Sequence, residues 1–594
     1  MPAPTTPSAP DTSASDIQEL VRLVTDLQSR VSKLEERLDV GVAVPAADLA
    51  AAAGPTVEPL ETPVSLPGSE IPSNAVAVLG RVFLAVAGAF VLRALAEYGV
   101  IPASLGAGLG IIYALVWLFL ATRLPAEAKF ATAAACATSA LIMIPLIWEA
   151  SQRFKVLSSW TSAGLLAGFV LVSLAVSWAK RQTVISGVVG VSSALLAIVL
   201  MFANHDLLPF TLALLTIGLA MEVAAWLDHQ TGARATAAIA ADIAIFISSW
   251  LLSRPQGLPA EYVPISLGSL VFVQTLLMAI YLGSAGVQTV VRRRTLTFAE
   301  MAQTAAALLI GVAGIVWVFR SNAAVMLALG LTALAIGLAC YAVSFRLFES
   351  VHMWNFRAWS AFGLFLVLIG TYFPFSGSAF WMLWCACAVG SCWAAMAVRR
   401  PTLGLHGAVY LLLGAVASDA AGQTVARLFG MGNDAFRWFA PLAVLLAAVV
   451  SWVAIAMSTT GESARWRKQV SSLAISSSIA WIAAGIAVQM LVSIWQAVAA
   501  GRGGDAPAYT LGTVVLTLTA AALAWAGGRW QKRELIWLAY AFMILGAYKL
   551  ATRDFANEHS LALVVSLIFF GGVLVLMPRL QRGPRSSKET ETVA

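Results

Sequence analysis

The chain has 594 residues, of which 60% are hydrophobic and only 11% charged, with a mean hydropathy of +0.83 and a formal net charge of +7. Soluble domains carry about a quarter charged residues, so this chain cannot cover a soluble surface of its size. The apolar excess lies in runs of about twenty residues, and the Lys and Arg residues sit in short turns between them. This pattern excludes a nucleic-acid-binding face and predicts an all-α, polytopic transmembrane helical bundle with the lipid bilayer as its surroundings.

Residues 1–15 form a Pro/Ala/Ser/Thr tract without periodicity and are predicted to be a disordered tail. No basic and apolar leader precedes the first long apolar run, so an unprocessed N-terminus is expected. Ser15 and Gln18 then have the spacing of a capping box. Ile17, Leu20, Val24, Leu27, Val31, Leu34 and Leu38 follow in steps of three and four, a heptad rhythm that predicts a coiled coil over 16–39. Ile and Val at a with Leu at d favour a parallel homodimer through residues 16–38. A lone amphipathic helix docked on another surface is the alternative. Residues 40–74 read as a flexible Pro/Ala linker, reaching about 30 Å root-mean-square.

The first long apolar run covers residues 76–96 and reads VAVLGRVFLAVAGAFVLRALA. At about 1.5 Å per residue it just crosses the hydrocarbon core. From here to residue 578 the sequence predicts about eighteen spans arranged as successive hairpins, followed by a basic and polar tail over 579–594. Spans are expected to begin near residues 75, 104, 130, 160, 182, 207, 233, 262 and 299. The series continues near 323, 357, 378, 402, 437, 469, 508, 534 and 560. Trp148, Trp160, Trp178, Trp226 and Trp250 fall at or near span ends, where interfacial indoles belong. Gly106/Gly110 and Gly164/Gly168 have the GxxxG spacing of close helix contacts.

Alternate loops differ in basic content by 22 Lys and Arg residues to 8. The positive-inside rule then places both termini in the cytoplasm of an inner-membrane protein.

The stretch LGRVFLAVAGAFVLRALAEYGVIP, entered from a coiled coil through a Pro/Ala linker, resembles the opening of a family of predicted bacterial multi-spanning membrane proteins (domain of unknown function 2339). Arg93 stands where such proteins often carry Lys or Arg in an FLKYA-like stretch. The resemblance implies an inner-membrane polytopic protein and carries over no catalytic residue.

Charged residues inside the spans are the candidate functional positions, because each is costly in hydrocarbon. Arg93, Glu97, Glu149, His205, Asp206, Arg320, Asp419, Lys549, Arg553 and Asp554 lie toward the outer ends of outward-running spans. They suggest either a polar vestibule for an anionic or zwitterionic ligand or side chains snorkelling to the interface. Asp242 lies near the middle of the seventh span, a candidate for proton or cation coupling or a hydrogen-bonded packing carboxyl. Glu222 and Arg81 lie at comparable depth in the sixth and first spans, a placement that allows an ion pair if those helices touch.

The five cysteines lack paired CxxC spacing and a nearby His, so they are read as buried hydrophobes and no metal site is expected. No nucleophile elbow, HExxH, Walker loop or dinucleotide fingerprint occurs, so no catalytic residue and no cofactor is assigned. The sequence fits a transport-type protein with a polar path between helices. A structural or assembly scaffold of the cell envelope is the alternative, and a membrane-embedded transferase a weaker one.

Overall fold

The computed structural model describes Thr25, Ser29 and residues 75–581, apart from 126–127, 230–231, 350–351, 376, 432–434, 459–464, 499–505 and 556–559. The chain divides into two units, Met1–Pro72 and Ser73–Ala594. In the first unit only Thr25 and Ser29 are described, both helical. The expected coil core (Ile17, Leu20, Val24, Leu27, Val31, Leu34 and Leu38) lies outside the described residues.

The second unit is helical throughout its regular structure. Its first nine helices are α1 Ala75–Glu97, α2 Ala103–Arg123, α3 Lys129–Gln152, α4 Ser159–Lys180, α5 Thr183–Ala203, α6 Leu207–Trp226, α7 Arg234–Leu252, α8 Leu267–Gly286 and α9 Phe298–Phe319. Then follow α10 Ala323–Val343, α11 Met353–Tyr372, α12 Ser378–Ala397, α13 Pro401–Ala417 and α14 Ala420–Leu428. The last five are α15 Phe439–Met457, α16 Arg465–Val498, α17 Ala506–Arg529, α18 Arg533–Lys549 and α19 Ser560–Leu580. Among the described residues, 16 helices are long and apolar enough to cross a membrane, and α13 with α14, bent by 68°, makes a seventeenth if the pair is one broken span. The chain is therefore a multi-pass membrane protein. The remaining expected span, α1, carries Arg81, Arg93 and Glu97 and is not among the 16.

Two stretches outside the expected apolar runs are partly helical. The stretch 419–436 contains α14, whose Ala420, Thr424 and Leu428 are buried on one side. Nine residues without a long apolar run leave no span signature, yet their four-residue spacing marks a helix face. The stretch 284–298 is largely helical as well, because α8 continues through a π-helical turn at Val287–Val291.

Lipid tails are as apolar as leucine, so helices in a bilayer associate mainly through close packing of small residues. The bundle follows this: Ala237, Ala238, Ala240, Ala241 and Ala244 are all buried along α7. A Cβ on Gly106 would lie 2.8 Å from Ala96 Cβ, and one on Gly110 would lie 2.8 Å from Leu146 Cδ2. These two glycines thus let α2 approach α1 and α3, whereas Gly164 and Gly168 face open space. Trp148, Trp160 and Trp250 are exposed at helix ends. Trp226 instead turns inward and donates to Ser284 Oγ at 2.9 Å, and Trp178 packs 4.9 Å from the His229 ring.

Ion pairs between loops join only loops of one face among the described residues. Arg153 meets Glu97 at 2.6 Å across the ends of α3 and α1, and His205 meets Glu261 at 3.4 Å across the loops after α5 and α7. On the other face Arg294 pairs with Asp228, and Arg400 lies 2.5 Å from Glu349. Lys532 sits 4.7 Å over Trp452, extending that second face to the ends of α15 and α17. Successive spans therefore alternate in direction, with α13 and α14 counted as one. The face that carries Arg294, Arg400 and Lys532 is called the basic face below, and the other the opposite face.

Candidate functional site

Short turns set the site. α6 carries Glu222 one turn before its end, and α7 begins twelve residues later with Arg234, so the two side chains meet where the hairpin closes on the basic face. Arg234 Nε donates to Glu222 Oε1 at 2.8 Å and Nη2 to Oε2 at 2.7 Å, the two-pronged geometry that a guanidinium plane is shaped for. Ser284 of α8 also donates to Glu222 Oε2. Glu222 is only 3% exposed, and these three donors satisfy its carboxylate.

The third wall comes from α9. Thr297 and Glu300 form a capping box: Glu300 Oε2 accepts from Thr297 N at 2.8 Å, and Thr297 Oγ1 accepts from Glu300 N at 3.3 Å. This leaves Glu300 Oε1 to accept from Arg234 Nη1 at 2.7 Å. Arg234 therefore ties three helices together at the basic face.

Asp242 lies two turns further along α7, about 12 Å deeper at the helical rise. It is 7% exposed. Its Oδ2 accepts from Gln303 Nε2 of α9 at 2.8 Å, and its Oδ1 has no protein partner. A buried carboxylate oxygen left unpaired is costly, and such groups mark places where a proton, ion or water has a role.

Asp242 lines a cavity of about 610 Å³ together with Glu222, Arg234, Tyr281, Glu300 and Gln303. A second cavity of about 620 Å³, lined by Asp228, His229 and Arg294, lies on its basic-face side. Arg234, Gln288, Thr297 and Glu300 belong to both walls. The Arg234–Glu300 pair thus stands between the face and the deeper chamber. Alanines 235, 238, 302 and 306 line the chamber where α7 and α9 run past each other, and their small size leaves its space open. Three carboxylates against one guanidinium give the chamber an excess of negative charge, which favours a cation or a proton.

The other candidates are distributed over separate helix groups. Arg93 lies 2.8 Å from Glu149 and 3.9 Å from Glu97, in a charge-balanced chain with Arg153 on the opposite face. Arg320 is exposed. Arg81 is exposed and α1 packs mainly on α2 and α3, so the condition for an ion pair with Glu222, that their helices touch, is not met; Arg234 holds that carboxylate instead. Asp419 sits with φ +61° at the break before α14 and accepts from Gln423 Nε2 at 3.3 Å. Asp206 is buried in the loop before α6, where burial pushes its carboxyl above the usual carboxylate range and a hydrogen bond with the Ser159 side chain opposes that shift.

Lys549 is 0% exposed. The π-helical turn Leu550–Asp554 brings Asp554 back onto it: Lys549 Nζ donates to Asp554 Oδ1 at 3.0 Å, to Thr513 Oγ1 at 2.6 Å and to Tyr509 O at 2.6 Å. All three ammonium protons have acceptors, so this cluster is closed. The contrast with Asp242 is one of unused valency.

Arg234, Tyr281, Glu300 and Gln303 were not singled out by the sequence. The Thr297-x-x-Glu300 spacing, with Gln303 a further turn on, was a readable sign of a helix start presenting polar groups on one side. Among the described residues no group of three or more His, Cys, Asp or Glu is arranged to hold a metal, and all five cysteines are free thiols. Set against protein-family models, curated proteins and solved structures, the chain has no match in any of the three comparisons.

Proposed function

We propose that the chain is a transport-type protein of the bacterial inner membrane, with the basic face and both termini cytoplasmic. In this reading the α6–α9 chamber takes up a cation, or a substrate carried with a proton, from the cytoplasmic side. The single observation that carries it is Asp242, a buried carboxylate in the wall of a 610 Å³ cavity whose Oδ1 has no hydrogen-bond partner. A carboxylate kept only for packing would have both oxygens satisfied, as those of Glu222 are. The Arg234–Glu300 pair acts as the gate, and Gln303 holds Asp242 toward the chamber.

The orientation rests on the 22-to-8 loop bias, and the choice of membrane on the resemblance of residues 79–102 to the multi-spanning bacterial family. The scaffold reading draws on the heptads of residues 16–38 and their expected homodimer.

The experiment is complementation of a deletion strain with wild-type protein and with Asp242→Asn, comparing ion and metabolite accumulation. Asn keeps the shape and hydrogen bonding of Asp and removes its titrating charge. The variant is expected at wild-type abundance with the accumulation profile of the deletion strain. Full complementation by Asp242→Asn would remove the transport reading and leave the scaffold.

A further inference from the structure

A third cavity, remote from α7, opens on the basic face. It has a volume of about 510 Å³ and lies between the end of α15, the start of α16 and the turn joining α17 to α18. Arg465, Lys468, Lys532 and Arg533 line it, with Glu534 as the only carboxylate among its described lining residues. The positive-inside rule explains cations in loops, but it does not require four of them to face one cavity.

Three features make this a built site. Both lysines are held: Lys468 Nζ donates to Ser458 O, and the Lys532 ammonium sits 4.7 Å over the Trp452 ring. Glu534 is drawn toward Ser472, whose Oγ donates to it at 3.4 Å. α16 and α18 both begin at the cavity, and α18 starts at Lys532 without a side-chain cap, so first-turn N–H groups add to the positive field. Trp466, Trp530 and Trp537 are exposed nearby, as indoles at headgroup level are. Cations held in place beside helix N-termini at that depth suit a phosphate oxyanion.

We propose that this cavity binds a phosphate group, from either an anionic phospholipid headgroup or free inorganic phosphate. Lys468 and Lys532 are the principal contacts, with Arg533 at the rim.

The test uses the full-length protein in neutral-lipid nanodiscs, titrated with phosphatidylglycerol and, separately, with inorganic phosphate. Removing one cation near an anionic surface is worth about a fivefold loss, so Lys468→Gln/Lys532→Gln should weaken binding roughly twenty-fivefold. Lys532→Arg, which keeps the charge, and Arg254→Gln, on the opposite face, should bind as wild type does. Displacement of the lipid by inorganic phosphate would make free phosphate a ligand of the same site. Lysine-dependent lipid binding that phosphate does not displace would assign the site to the headgroup. The proposal is overturned if neither probe binds the wild type. It is equally overturned if the double variant, with an unchanged unfolding midpoint, binds as well as the wild type, or if Arg254→Gln loses as much.

Discussion

At the scale of single residues, the buried charges divide by whether their hydrogen-bonding capacity is filled. Lys549 has three acceptors and Asp554 takes both Lys549 and, at 2.5 Å, Thr513. Removing one member of such a pair strands the other in a low-dielectric site, which costs about 3–5 kcal/mol. Lys549→Met should therefore lower the unfolding midpoint in detergent strongly, and Lys549→Met/Asp554→Asn should recover most of the loss. Equal destabilisation by the single and double variants would show that the pair is not coupled. Asp206 presents the opposite sign. Its folded-state pKa is raised, so the native state binds a proton more tightly than the unfolded chain, and stability rises as pH falls through that raised pKa. Asp206→Asn should thus raise the unfolding midpoint at neutral pH, and the advantage should fade as the pH approaches the unfolded carboxylate value of about 3.9. A stability gain that does not change with pH would contradict this assignment.

At the scale of elements, close approach rather than apolar content decides which helices pair. A Cβ on Gly106 would meet Ala96 Cβ at 2.8 Å and one on Gly168 would meet nothing within 4 Å, though both belong to GxxxG spacings. Overpacking a tight contact costs about 1–3 kcal/mol, so Gly106→Val should lower the unfolding midpoint while Gly168→Val leaves it nearly unchanged. Equal effects would mean that the α1–α2 contact does not depend on the glycine.

The positions of the apolar runs were legible because hydropathy is a local property: expected starts near 75, 160, 207, 323 and 378 coincide with helix starts within a residue. The break between α13 and α14 was not, because a bent span of 17 and nine residues lacks one continuous run. Asp242 could be singled out from its depth alone. Its partner Gln303 and the Arg234–Glu222 fork depend on which helices touch, and an apolar pattern that repeats in every span does not encode that. Arg81 shows the limit: its depth matched Glu222, but α1 lies against other neighbours.

At the scale of the whole molecule, the alternating helices place two chemically distinct cavities on the basic face, one with excess negative charge between α7 and α9, the other with excess positive charge between α15 and α18. The opposite face carries balanced ion pairs such as Arg93–Glu149. This asymmetry is what a protein loading a cation from one side needs, with the Arg234–Glu300 pair in the wall shared by the two cavities next to α7. Water reaching Asp242 from the cytoplasmic face is the claim on which the transport reading turns. Ala238 lines the same chamber one turn before Asp242, and a cysteine there, in a background freed of the five native cysteines, reports that access. A membrane-impermeant, charged thiol reagent should label Ala238→Cys in inside-out vesicles at least tenfold faster than in right-side-out vesicles. Labelling from neither side, or preferentially from the outside, would contradict it.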